Sequence, residues 1–259
     1  MREGVRGYGA SVAGSRTLPR RRNRRLPLGR SMATAARWPV GVALTSWRYM
    51  WRTTPIYRSE VSGSWPDDAP PPLPDGLVDE DVQRLRHGTG ALFHRRYLAR
   101  IRSPRVTPEE LMARVQRNPD DAAPSEFAAF KKVAGNMDCM RPGDEYVVRM
   151  PGPWDGPVRV FEVSACSFGL MTLEGHLEAG QIVFRATGGG DRIDFEIESW
   201  ARSGDRLSDL LYDRLRMSKE VQLHMWTSFL ERVVRLSGGT RAGGLRIETR
   251  RLEEAPIAG

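Results

Sequence analysis

The chain is poor in the residues from which reactive centres are most often built. It has two cysteines, Cys139 and Cys166, and four histidines among 259 residues. No His or Cys partners either cysteine at zinc-site spacing, so no metal is expected and both thiols are read as reduced and packed. No apolar run approaches the roughly 20 residues that span a bilayer, and none follows the N-terminal arginines as a secretory signal requires. A cytoplasmic location is therefore expected. One-sided charge is also missing from most of the chain. Residues 1–31 hold nine Arg and one Glu, which accounts for the whole +8, and from Met32 onward the charges balance. No specific nucleic-acid partner is expected, although the run RRRNRR can touch phosphates without reading sequence.

What is present divides the chain into four parts. Residues 1–37 are rich in Arg and Gly with few large apolar side chains, which predicts a disordered tail. Met32 also reads as a first residue, so the tail is either an arm or a product of start-site choice. Residues 38–76 combine an aromatic segment with a stiff connector, PDDAPPPLPDG. A helix in the aromatic segment would align Val40, Leu44, Trp47 and Trp51. Residues 38–58 are then expected either to dock on their own domain or to lie on a membrane surface. Residues 77–237 are expected to form the main domain, and the polar residues 238–259 a flexible tail.

Periodicity specifies the domain's elements. Strand-like sequence over Ala91–Ile101 precedes a helix capped by Thr107, with Pro108 first in the helix and Glu110 closing a capping box; Asn118 and Pro119 end it. Further strands are expected at Tyr146–Met150, Val158–Ser164 and Gly169–Leu177. The stretch 171–200 reads as an antiparallel meander with turns at Glu178–Gly180 and at the Gly188–Gly190 run. In it Ile193, Phe195 and Ile197 alternate with Asp194, Glu196 and Glu198, the period of two of a half-buried strand. A short helical stripe over Asp205–Leu215 is followed by an amphipathic helix over Ser218–Leu236, with Val221, Met225, Phe229 and Val233 in register and Gly238 and Gly239 ending it.

A curved antiparallel sheet closed over a long C-terminal helix is the predicted α+β architecture, a helix-grip plan. Such a sheet and helix need not meet completely, which leaves room for an apolar pocket. Trp154, Trp200, Met225, Trp226 and Phe229 are the expected ligand contacts, and an apolar small molecule or lipid is the expected partner. Plain core packing accounts for the helix residues equally well. Glu174 and His176 form a candidate polar site, since Glu174, His176 and Glu178 alternate as one face of a strand would require. The opposite apolar set Met171, Leu173 and Leu177 favours a solvated polar face instead, and no catalytic residue or cofactor is assigned. The Gly188–Gly190 run precedes a strand rather than a helix, so it reads as a hairpin turn and not a phosphate loop. A non-enzymatic binding module is favoured over a cyclase- or hydratase-like enzyme using Glu174 and His176. Nothing in the sequence specifies an oligomeric state.

The runs TLEGHLEAGQIVF and FEIESWAR, with the terminal helix, resemble the DUF1990 family of bacteria and plants. The resemblance covers about residues 88–236, and its most specific piece is Gly175, His176, Leu177, Ala179 and Gly180. It implies an α+β domain near the START-like group of small-molecule binders, with the segment before residue 77 similar to an addition in actinobacterial members. The family supplies no catalytic residues to carry over.

Overall fold

Strands with alternating side chains, several joined by glycine-bearing turns, are the main element among the described residues. A computed structural model describes residues 17–18, 55–65, 67–124, 128–149, 155–204 and 217–253. Its strands are β1 (Thr17–Leu18), β2 (Ile56–Ser62), β3 (Thr89–Arg102), β4 (Ala129–Asn136), β5 (Glu145–Arg149), β6 (Asp155–Val163), β7 (Ser167–Thr172), β8 (Glu178–Gly189), β9 (Arg192–Ser203), β10 (Thr240–Arg241) and β11 (Leu245–Leu252). They form one curved sheet in the order β1-β4-β5-β6-β7-β8-β9-β3-β11-β2, with β10 paired to β3. Consecutive hairpins from β4 to β9 make the expected meander antiparallel. The β11/β2 edge is parallel, so the sheet is mixed rather than wholly antiparallel.

Two helices lie against it, α1 (Pro108–Arg117) and α2 (Met217–Leu236). The start of α1 follows from its chemistry. The Thr107 side chain accepts from the Glu110 N–H, and Glu110 accepts from the Thr107 N–H, so two end donors are satisfied reciprocally. Leu111, Met112 and Val115 then bury one stripe of the helix.

The alternation of β9 sorts the sheet's two faces. Ile193, Phe195 and Ile197 point inward with Tyr97, Ala99 and Ile101 of β3 and Phe184 of β8, and all pack with Leu223, Met225, Phe229, Leu230 and Val233 of α2. On the outer face Leu92, Phe161, Met171, Leu173, Val183, Trp200 and Leu252 form a second apolar cluster. Trp65, Leu73, Leu77, Val78 and Leu85 cover that cluster, so the connector is a lid on the outer face and not a spacer. Proline-rich chain suits this role because it lies extended and does not compete for sheet hydrogen bonds.

Several boundaries differ from the sequence reading. Residues 245–252, expected in a flexible tail, form β11 and pair with both β3 and β2. Residues 56–62, expected in the aromatic segment, form an edge strand of the same sheet. Single-sequence periodicity underrates both, since β2 and β11 are rich in charged residues, which strand propensity disfavours unless one face stays open to solvent. Thr17–Leu18, within the expected disordered tail, pair with Gly135 and Asn136. Of the helix expected over 38–58, residues 38–54 lie outside the described residues and 56–58 belong to β2, while the stripe over 205–215 lies wholly outside them. The Gly190–Asp191 turn falls where the sequence placed it. The preceding turn does not: it lies at Glu174–Gly175, where Gly175 has φ +91°, and Glu178–Gly180 open strand β8.

Candidate binding site between sheet and helix

The inner face changes character along α2. At its middle, Phe229 meets Phe184 at 5.4 Å and Phe195 at 6.4 Å between ring centroids, and Trp226 meets Phe184 at 5.7 Å. Phe168 stacks on Phe184 at 4.5 Å, so the aromatic cluster reaches into the neighbouring strand. These are the offset and edge-on separations that ring quadrupoles favour. Phe229 is 1% exposed and Met225 6%, whereas Trp226 is only half-buried.

One turn nearer the start of α2 the lining becomes polar. Arg95 is buried, and its Nη1 donates to Gln222 Oε1 at 3.3 Å and lies 3.8 Å from Glu178 Oε1. Gln222 Nε2 donates to Glu178 Oε2 at 2.7 Å. The Arg95 guanidinium also stacks over Phe93 at 4.6 Å. The buried Tyr97 phenol lies next along the strand, and burial pushes it up to about 12, which keeps it a neutral hydrogen-bonding group. Two strands, β3 and β8, and one helix thus converge a charged pair, an amide and a phenol one helical turn from Trp226.

The expected ligand contacts do not form one group. Met225, Trp226 and Phe229 stand together on the helix side. Trp200 is on the opposite face, stacked on His94 at 4.9 Å, because position 200 is out of phase with Phe195 and Ile197. Trp154 lies outside the described residues. Glu174 and His176 do not share a strand face, which corrects the alternation expected for them. Glu174 is exposed in the turn, and His176 Nδ1 accepts from the Glu178 N–H at 2.9 Å. Burial holds the His176 imidazole below its usual pKa, consistent with a neutral ring that braces the turn.

The sequence reading missed Arg95, Gln222 and the outer-face histidine. Counting back by two from Ile101, Ala99 and Tyr97 would have placed Arg95 on the inner face, an arginine in a core-facing position. His94 has no metal-ligand spacing to His87 along the chain, yet it is 7% exposed between two carboxylates. Its Nδ1 meets Asp68 Oδ1 at 2.7 Å and its Nε2 meets Glu198 Oε1 at 2.9 Å. Burial pulls its pKa down, but the bonds and charges of Glu198 and Asp68 outweigh that and leave it raised. Among the described residues no three His, Cys, Asp or Glu side chains converge as a metal site, and no helix is long and apolar enough to cross a membrane.

A comparison with curated proteins finds no match. Among solved structures, DynU16, from the dynemicin biosynthetic locus, aligns with 16% identity and a TM-score of 0.38 over 55% of this chain and 46% of its own. The chain thus spans less than half of that protein. CalU16 from Micromonospora echinospora aligns with 14% identity and a TM-score of 0.36 over 65% of this chain and 81% of its own. A conserved protein from Geobacillus kaustophilus aligns with 11% identity and a TM-score of 0.40 over 57% and 98%. The family model for the domain of unknown function DUF1990 matches residues 125–232, from β4 through most of α2.

Proposed function

We propose that the protein is a non-enzymatic binding module that takes an apolar or lipid-like small molecule between the sheet and α2. The observation that carries this reading is the buried Arg95 guanidinium, held by the half-buried Glu178 and Gln222, at the end of an otherwise aromatic interface. Burying a guanidinium costs several kcal/mol even when it is paired, so packing alone gives no reason to place one against a helix. An amphiphile supplies the reason. Its hydrocarbon contacts Trp226, Met225 and Phe229, while its polar end, a carboxylate above all, exchanges for Glu178 at Arg95.

A fluorescent long-chain fatty acid titrated into the full chain tests this. Saturable binding is expected, weakened about 10-fold by Arg95→Gln, the loss of one charge-assisted contact worth about 1.4 kcal/mol. Absence of saturable binding, together with no retained small molecule in native mass spectra of protein purified from its own host, would overturn the reading.

A further inference from the structure

The connector covers only part of the outer face. Beyond it, β9, β3, β11 and β2 carry an open groove of about 690 Å³ whose lining includes Tyr57, Arg96, Leu98, Arg100, Arg246 and Glu196. Register places these residues side by side. Arg246 stands opposite both Tyr57 and Leu98, and Leu98 stands opposite Glu196, with neighbouring strands about 4.8 Å apart. Arg100 is two residues from Leu98 and so on the same face.

The groove's carboxylates are already engaged. Glu196 pairs with Arg96 at 2.8 Å, and Glu248 pairs with Arg250 at 2.8 Å. Two guanidiniums, those of Arg100 and Arg246, make no hydrogen bond among the described residues. Arg100 has a buried Nε with no hydrogen-bond partner among the described residues, and the carboxylate nearest it, Asp194, is 3.9 Å away. Arg246 is exposed and its side chain has no ion pair among the described residues. At the rim, the Tyr57 ring is 64% exposed and lies against Gly244, where a Cβ would come within 2.6 Å of it. Gly244, having no side chain, leaves that ring room where it lies.

We propose that this groove is a second binding site, separate from the sheet–helix interface, for a small planar compound bearing phosphate. The ring stacks on Tyr57 above Leu98, and Arg100 and Arg246 hold the phosphate oxygens. Guanidinium forks match phosphate geometry, and an aromatic face accepts any planar ring, so the pair selects the class and not one member of it. The site works without the amphiphile site, since it draws on the other face of the sheet.

Adenosine diphosphate, adenosine and inorganic phosphate titrated into the full chain by calorimetry test the proposal. Adenosine diphosphate is expected to bind more tightly than either part alone, with affinity falling as salt rises. Arg246→Glu and Arg100→Gln should each weaken it at least 10-fold, and Tyr57→Ala should weaken adenosine diphosphate while leaving phosphate unchanged. Arg246 and Tyr57 are exposed, so these variants should keep the wild-type melting temperature; Arg246→Gln serves if the charge reversal does not. The proposal is overturned if adenosine diphosphate binds no better than phosphate, if the arginine variants bind it equally well, or if only a long oligonucleotide binds.

Discussion

The two faces of the sheet are covered by different means. Inside, the middle of α2 meets the strands through hydrocarbon and aromatic rings, contacts that have little directionality, and charge enters nearer its start, where Gln222 joins Arg95 and Glu178. Outside, a helix-poor, proline-rich segment is fastened by buried polar nodes. Asp68 is held by His94, and the Arg159 guanidinium, 3% exposed, joins Glu145 at 2.9 Å, Asp79 at 3.1 Å and the Leu77 carbonyl at 2.8 Å. Gln181 and Gln83 add bonds to the Pro71 and His176 carbonyls. A helix brings its own backbone satisfied and needs only an apolar stripe. An extended segment has no internal hydrogen bonds, so the sheet must supply partners to hold it in place.

This contrast is open to direct attack. The largest effect is expected from Phe229→Ala, which empties the centre of the inner cluster and should cost about 3–5 kcal/mol in urea unfolding, with little change between pH 5 and 8. A pH-dependent loss there would mean that the aromatic middle of α2 does not adhere by apolar contact alone.

Next comes His94→Ala, which strands the buried Asp68 and Glu198 and should cost about 3 kcal/mol. Limited proteolysis is the sharper readout, with faster cleavage between residues 63 and 87 expected while the far-ultraviolet spectrum is retained. Equal protection of the connector in the variant would show that the apolar lid holds alone.

The wild-type connector should also respond to pH. His94 has a raised pKa, so its contribution is complete below its ordinary value of 6.5 and is lost as pH rises through the raised one. Asp68 and Glu198 have lowered values, since their bonds to His94 and the nearby Arg250 and Arg185 outweigh burial. Their contribution is complete above the ordinary carboxylate range and lost as pH falls through the lowered values. Protease protection of residues 63–87 should therefore be greatest between about pH 4.5 and 6.5. A profile flat from pH 5 to 9 would remove the histidine from the account. The smallest effect is expected from Thr107→Ala, about 1 kcal/mol, independent of pH, because it touches a helix cap and neither cover of the sheet.

Much of the inner face was legible in residue order. The alternation Ile193, Phe195, Ile197 and the stripe Met225, Phe229, Val233 each name a buried surface within one element, and the Thr107 box names a helix start. The outer face was not. Trp200 looked like a partner of Phe229 because both are large and apolar, and only the phase of β9 separates them. Glu174 and His176 looked like strand residues because the alternation of polar and apolar side chains continues through a turn.

Local order in the chain was enough to specify strands, helix ends, hairpins and the α+β class, since these depend on side chains two to four positions apart. The lid over the outer face and the charged nodes beneath it came only with folding. Asp68 and His94 are 26 residues apart, and His94 and Glu198 are 104 apart. Nothing in the spacing of such residues along the chain brings them together, because their meeting depends on which strands neighbour one another and on which side of the sheet the connector crosses.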